Sequence, residues 1–550
     1  MRTRVLCFCL LLTGPAVFSQ RLKKADKLTV TNLQAHVGYL ANDQLEGRRA
    51  GTAGEQLAAA YISEQFRKQG LHPKGEAGSW LQPFTINDGK QVNKNSLFLV
   101  NGHDLRLNVD YFPLSCSPNH SLEAAVSIAL PEKDVPWFLD LDEVLEAQQD
   151  NPHFDLLTTI REKAEKVAAK GATALLLYNS STRKDNLSFL AKDRADVSAI
   201  PILYIMPKGM KDYLKDESAT YDVRIKVDIG EKTRTGHNVI GYLDNGAGHT
   251  VILGAHYDHL GYGEDGNSLL AGGTPQIHNG ADDNASGTAA LIELARLLKT
   301  SKAPKNNYLF IAFSGEELGL NGSKYFTEHP TVELSTVNYM INMDMVGRLN
   351  DSSKTLTVGG YGTSPLWSGV FSSVSDKKQP VQFKFDSSGT GPSDHSSFYR
   401  KDIPVLFFFT GLHTDYHKPT DDAEKINYSG ELQVLKCIEQ VVLNANDKGK
   451  LAFLKTREAQ TGTSTRFSVT LGIMPDYTFT GTGVRVDGVS DNRPAQKAGI
   501  VAGDVIMQLG SHVTSDMERY MQALSRFKKG DSTTVKYKRG TDTLEAQVTF

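Results

Sequence analysis

From residue 238 onward the apolar positions come in blocks. "TVILGAHYD", "YLFIAF", "VNYMINMDMVG" and "IPVLFFF" are near-continuous apolar runs separated by polar, glycine-bearing segments. Between the first two, "ASGTAALIELARLLKT" puts Leu291, Leu294, Ala295 and Leu298 on one helical face. Strands without a polar face, alternating with amphipathic helices, predict an α/β fold with a mainly parallel mixed sheet and helices on both faces. Ligands of such sheets collect beyond the C-terminal ends of the strands.

Upstream, "LEGRRAGTAGEQLAAAYISEQFRKQGL" joins a glycine-rich turn to a helix whose apolar ladder is Ala58, Ile62 and Phe66, ended by Gly70. Between 113 and 229 short strands ("AAVSIAL", "ATALLLYN", "IPILYIM") surround a helix, "REKAEKVAAKGA", which predicts a compact insertion. The polar, Gly/Thr-rich "KTREAQTGTSTR" reads as linker. A strand-rich segment with one helix, "SDMERYMQALSRF", follows it. The expected order is a leader over 1–19, a first part of the main domain over 20–112, the insertion over 113–229, and the rest of the main domain over 230–450. A linker over 451–466 and a small β-rich domain over 467–550 complete it.

The first residues change the compartment. "MRTRVLCFCLLLTGPAVFSQ" has two arginines, an apolar stretch from Val5 to Leu12 and small residues before Ser19, the pattern of a cleaved secretory signal. Its apolar stretch is too short to span a bilayer, so a secreted or periplasmic protein without a membrane span is expected. Cys7 and Cys9 would leave with the signal, which keeps only Cys116 and Cys437 and excludes a disulfide framework. A length of 550 residues implies roughly three or four domains. The net charge of −3, with no basic tract, gives no case for nucleic acid or an anionic membrane surface.

Candidate chemistry sits where the apolar runs end. "ILGAHYDHLG" offers His256 and Asp258, "IHNGADDNASG" offers Asp282 and Asp283, and "FSGEELG" offers Glu316 and Glu317. "INMDMVG" offers Asp344 and "TDYHKPTDD" offers His417. Any one of these is an ordinary cap or turn residue. Five at the strand ends of one sheet suit a pair of zinc ions, with two histidines and three carboxylates as ligands. Two divalent ions, three carboxylates and one hydroxide make a neutral cluster. That charge balance gives the adjacent glutamates separate tasks: Glu317 binds metal and Glu316 faces the water between the metals.

The set H-x-D, G-A-D-D-N-A-S-G, E-E, M-D-M and Y-H-x-x-x-D, in that order, resembles the co-catalytic zinc aminopeptidases, metallopeptidase family twenty-eight, with their zinc exopeptidase fold. The resemblance covers roughly 28–112 and 230–447. It implies two zinc ions per chain, one held by His256 and Asp344 and the other by Glu317 and His417. Asp283, directly before N-A-S-G, would bridge them, and the Asp283–Asn284 peptide bond would be cis. Asp258 would orient the His256 imidazole, Glu316 would be the general base, and Tyr416 would steady the oxyanion. In "GPSDHSSF", Asp394 and His395 are expected to shape the cleft, while His259 and His278 are expected at the surface.

The flanking domains resemble known modules as well. The insertion, with "EKAEKVAAKGATALLLYN", is similar to the protease-associated domain. "LGIMPDY" followed by "VSDNRPAQKAGIVAGDVIMQLG" is similar to a PDZ domain, whose loop near Leu471–Ile473 would take a peptide C-terminus. The implied reaction is hydrolysis of the N-terminal peptide bond of peptides with a free N-terminus. Glu316 would take the proton of the attacking water and return it to the leaving amine. The rivals are a glutaminyl cyclase, a glutamate-carboxypeptidase-like exopeptidase, and a non-catalytic transferrin-receptor-like binding protein. All five ligands are kept and no arginine cluster lies near the motifs, which weighs against each.

Overall fold

The computed structural model describes residues 23–550 other than 148–153, 194, 269, 271–273, 302, 375–380, 457–468, 476–478, 480, 490–492, 516, 525 and 528–529. The expected signal segment therefore lies outside the described residues, as does 457–466 of the expected linker. Among the described residues no helix is long and apolar enough to cross a membrane.

The apolar blocks become the strands of one nine-stranded sheet. Its strands include β1 (Leu81–Val92), β2 (Ile229–Leu243), β3 (Thr250–His256), β4 (Asn307–Phe313) and β5 (Val337–Met343). Beyond these lie β6 (Thr355–Gly359), β7 (Gln382–Phe385) and β8 (Val405–Phe409). The centre runs β4-β3-β5-β8 and is parallel throughout. Antiparallel pairing appears toward both edges, where β2 meets β4 and β6 meets β8. Every residue of β3, β4 and β5 is buried, as strands covered on both faces require.

One face carries α1 (Lys24–Leu40), α2 (Ala53–Lys68), α3 (Gly287–Lys299) and α6 (Tyr428–Ala445), packed in a single core with Leu253, Ala255, Phe310 and Ile341. Ala58, Ile62 and Phe66 of α2 are buried, as are Leu291, Leu294, Ala295 and Leu298 of α3, so both predicted helical faces point inward. The other face is covered by α4 (Asn321–Glu328) and α5 (His395–Tyr399), through Phe326 and Phe398 against Ile252, Ile311 and Phe313.

The insertion forms two four-stranded sheets, one from residues 103–104, 97–100, 220–227 and 120–127, the other from 111–113, 202–205, 175–178 and 137–140. It begins earlier than the 113 expected from texture. Asn93 closes its neck, with N donating to the Asp228 carbonyl and Nδ2 to Asp228 Oδ1, both at 2.8 Å. Strand 97–100 is only four residues long and pairs with 220–227, more than 100 residues away, so no local pattern announced it.

Residues 451–456 lie along the main body: Leu451 N donates to Asn338 Oδ1 and Leu454 N to the Thr363 carbonyl, each at 2.8 Å. The C-terminal segment is an antiparallel β structure with two helices among its described residues, Pro494–Lys497 and Met517–Leu524, around Leu471, Val486, Ile506, Leu509 and Val535.

Candidate metal centre

Parallel register puts three of the five residues, His256, Glu317 and Asp344, at one end of the sheet. His256 is level with Phe313, so Glu316 and Glu317 emerge beside it in the turn that follows β4. Asp344 follows β5, and its N–H donates to the Phe408 carbonyl at 3.2 Å. Asp283 arrives from a short π-type turn, Ala281–Ser286, that opens into α3. The Asp283–Asn284 bond is cis, as the motif resemblance implied.

Asn284 then ties this turn to β5. Its Nδ2 donates to the Met343 carbonyl at 3.0 Å, and its Oδ1 accepts from Gly287 N and Met345 N. Gly287 permits that contact, because a Cβ there would lie 2.3 Å from Asn284 Oδ1 and 2.4 Å from the Met343 carbonyl.

Asp283 presents its two oxygens to different histidines. Oδ1 is 3.4 Å from His256 Nε2, and Oδ2 is 3.3 Å from His417 Nε2. His256 Nε2 is also 3.4 Å from Asp344 Oδ1, and His417 Nε2 is 3.2 Å from Glu317 Oε2. Donors about 2.0–2.1 Å from a tetrahedral centre stand about 3.3–3.4 Å apart along the tetrahedron's edges. The histidine–carboxylate edges of both sets lie at 3.2–3.4 Å, close to that spacing, so the residues present suit zinc, with Asp283 common to both sets.

His259 is a competing donor for the second position, since His259, Asp283 and Glu317 also form a compact group. His417 is the better ligand. It is near-equidistant from both carboxylates, whereas His259 Nδ1 is 4.0 Å from Asp283 and already hydrogen-bonded to Glu317 Oε1 at 2.8 Å. Moreover, His417 Nδ1 faces the Asn267 carbonyl at 2.8 Å, which leaves the Nε2 lone pair aimed at the carboxylates. His417 has φ +54°, a strained conformation for a side chain of this size and one that clusters at functional sites.

Electrostatics separate the two glutamates. Burial, with Glu317 and Asp344 close by, pushes Glu316 well above the usual carboxylate range despite the opposing charge of His256. Glu317 is equally buried, yet its contacts with His259 and His417 hold it down at about 2. Burial alone would raise Asp283, but His256 and His417 outweigh it and keep the carboxyl well below its ordinary value. Burial lowers His417, and Asp283 and Glu317 more than reverse this, to about 11.

Tyr416 stacks on His417 with ring centres 3.9 Å apart, and burial followed by the surrounding carboxylates raises its phenol well above the ordinary value, so it stays protonated. Asp394 is buried beside the site with neither oxygen hydrogen-bonded, and burial raises it to about 7.

Several expectations change. Asp258 meets His256 Nδ1 chiefly through its main-chain carbonyl at 3.2 Å; its carboxylate Oδ1 is 3.7 Å away and instead accepts from Glu316 N at 3.2 Å. His259 and His278, expected at the surface, are 2% and 1% exposed; His259 is turned inward against Glu317 and His417. His278 Nε2 pairs with Ser268 Oγ at 2.7 Å.

Other residues at the site carry no motif signal. Ser393 Oγ donates to Asp344 Oδ2 at 2.7 Å and is itself held by Asn342 Nδ2. It is the serine of "GPSDHSSF" that touches a candidate ligand, where the neighbouring Asp394 and His395 drew attention. Arg48, fully buried, donates to the carbonyls of Tyr257, Leu40, Asn279 and Gly280, bracing the segments that carry His256 and Asp283.

Residues 238–442 match peptidase family M28, and residues 456–550 match the PDZ domain. Aminopeptidase YwaD of Bacillus subtilis is 28% identical over 310 residues, covering 53% of this chain and 61% of its own length. A probable leucine aminopeptidase 2 of Aspergillus oryzae is 26% identical, covering 46% of this chain and 49% of its own. The chain thus spans less than two thirds of the length of these curated relatives. Among solved structures, an aminopeptidase from Aneurinibacillus sp. strain AM-1 is 22% identical, covers 78% of this chain and 96% of its own, and has a TM-score of 0.42.

Proposed function

From the match of residues 238–442 to peptidase family M28, we propose that the protein is an exported, two-zinc aminopeptidase acting on peptides with a free N-terminus. The observation that carries this is Asp283, with one oxygen 3.4 Å from His256 and the other 3.3 Å from His417. His256, Asp344 and Asp283 would hold one ion; His417, Glu317 and Asp283 would hold the other. Bound zinc supplies Lewis acidity, lowering the pKa of water and polarising the scissile carbonyl.

Glu316, next to Glu317, makes none of those close donor contacts, with Oε2 3.9 Å from His256 Nε2. Its raised pKa suits a group that takes a proton from the attacking water and returns it to the leaving amine. Asp258 positions it through the Glu316 N–H. Tyr416, protonated and packed on His417, would donate to the developing oxyanion. The α-amine of the substrate would sit against the carboxylates that line the site. Residues 93–229 would be the protease-associated module, and export rests on the N-terminal arginine–apolar–small pattern.

The test is metal analysis of the purified chain together with hydrolysis of aminoacyl chromogenic substrates. About two zinc ions per chain are expected, with activity lost to a chelator and restored by zinc. One ion per chain at full activity would point to cyclase-type chemistry instead.

A further inference from the structure

The loop after β3 touches both the second donor set and the insertion. Asn267 lies in this loop; its carbonyl accepts from His417 Nδ1 at 2.8 Å, and its Nδ2 donates to the Glu317 carbonyl at 3.3 Å. Two residues earlier, Asp265 is 6% exposed at its side chain and collects cations from three segments. Arg49, from the turn before α2, grips it with Nε at 2.7 Å and Nη2 at 3.0 Å. Arg234 of β2 approaches to 3.4 Å, and Lys192 of the insertion donates from Nζ to Oδ1 at 2.8 Å.

Lys192 is held on both sides. Ala191 is seated on β1, where Lys90 N donates to its carbonyl at 2.7 Å. Gly89, at φ +96°, makes this approach possible, since a Cβ there would stand 2.4 Å from the Ala191 carbonyl. On the other side, Asp193 is anchored within the insertion by Ser115 Oγ at 2.8 Å and Arg161 at 3.2 Å. Arg49 and Arg234 each also reach Asp88, at 3.3 and 3.1 Å, so their charge is divided between two carboxylates. Among the described residues, Lys192 pairs with Asp265 alone.

We infer that Lys192 is a positioning residue through which the insertion sets the second zinc site, by way of Asp265, Asn267 and the His417 imidazole. This rests on the two-zinc reading proposed above. Polar groups that orient a ligating histidine typically change metal affinity about 10–100-fold when removed. Because the hydrogen bonds of Asn267 among the described residues go to His417 and Glu317, the effect should fall on one ion and spare the one held by His256 and Asp344.

The experiment is a zinc titration of the chelator-stripped full chain and of Lys192→Ala, Lys192→Arg, Asp265→Asn and Lys232→Ala. Lys192 is half-exposed at its side chain, so folding of Lys192→Ala is not at risk; Lys232, on Asp88 at 3.3 Å, is the control. Lys192→Ala should weaken the second zinc by about two- to fivefold, the scale of a half-exposed ion pair, and leave the first unchanged. Lys192→Arg should recover most of the loss, and Asp265→Asn should exceed it.

A merely structural role would lower the unfolding temperature without separating the two ions. Equal weakening of both, or an effect of Lys232→Ala as large as that of Lys192→Ala, would overturn the inference while leaving the two-zinc reading intact. A wild-type chain that takes up no second zinc would overturn both.

Discussion

Two glutamates side by side in a buried turn would be costly unless neighbours divided their roles, and here they do. Glu317 is drawn down by His259 and His417, while Glu316, lacking such partners, is pushed up. Their variants should therefore fail differently. Glu316→Gln should keep the fold and both zinc ions and lose at least ~10²-fold in kcat, the usual scale for a general base. Glu317→Ala should lose one zinc equivalent. Parallel activity assays and metal analysis check this, and the reverse pattern would exchange the two assignments. At this scale the sequence was informative wherever a polar side chain ends an apolar run, which is how His256, Asp283, Glu317, Asp344 and His417 stood out. It was silent about groups that act through a carbonyl or a small hydroxyl. Nothing in "EDGNSLL" marks the Asn267 carbonyl, and nothing marks Ser393 above the other serines of its segment. His259 was misplaced at the surface because its burial depends on a tertiary contact with Glu317.

Among the elements, α5 shows how packing beside the site creates acid sensitivity. His395 opens this helix and lies flat on Phe407 of β8, with ring centres 4.5 Å apart and planes 12° from parallel. It is 1% exposed and its Nδ1 has no partner, so burial first, and Arg400 second, lowers its pKa to about 3. The folded state thus keeps the ring neutral, while the unfolded chain protonates it below about 6.5. The resulting stability is complete above 6.5 and is lost progressively as pH falls from there toward 3. Phenylalanine preserves the stacking and cannot take a proton. His395→Phe should therefore flatten the loss of stability between pH 6.5 and 4, by on the order of a few kcal/mol at the acid end. Denaturant unfolding of chelated wild-type and variant chains at several pH values measures this; parallel curves would contradict it. The long apolar strands and α2 and α3 were readable because their periodicity is sustained. The strand at 97–100 was not, since four residues paired with a distant segment leave no period to detect.

For the whole molecule, the question is what residues 456–550, which match the PDZ domain, would add to the proposed peptidase. Residues 451–456 belong to the main body, with Thr456 bonded to Tyr399 and Gly389, so truncation should follow Thr456 and not precede it. The candidate ligands and Glu316 all lie between 256 and 417, and nothing after Thr456 is among them. Truncation should then leave turnover of aminoacyl chromogenic substrates within about twofold, because the small substrate meets only the main body. Long peptides differ. A tethered module that holds a peptide's C-terminus raises the local concentration of its N-terminus at the metal centre, by an amount that depends on the span. Truncation should therefore raise KM for peptides long enough to reach both sites, with kcat nearly unchanged, and leave short peptides alone. Blocking the C-terminus of a long peptide as its amide should reproduce the truncation, since the loop near Leu471–Ile473 would recognise the carboxylate. If truncation abolished turnover of the small chromogenic substrates too, the C-terminal domain would be part of the catalytic unit and the tether would be the wrong description. A KM change equal for the free acid and the amide would leave the tether standing but move its grip from the carboxylate to the extended backbone of the peptide.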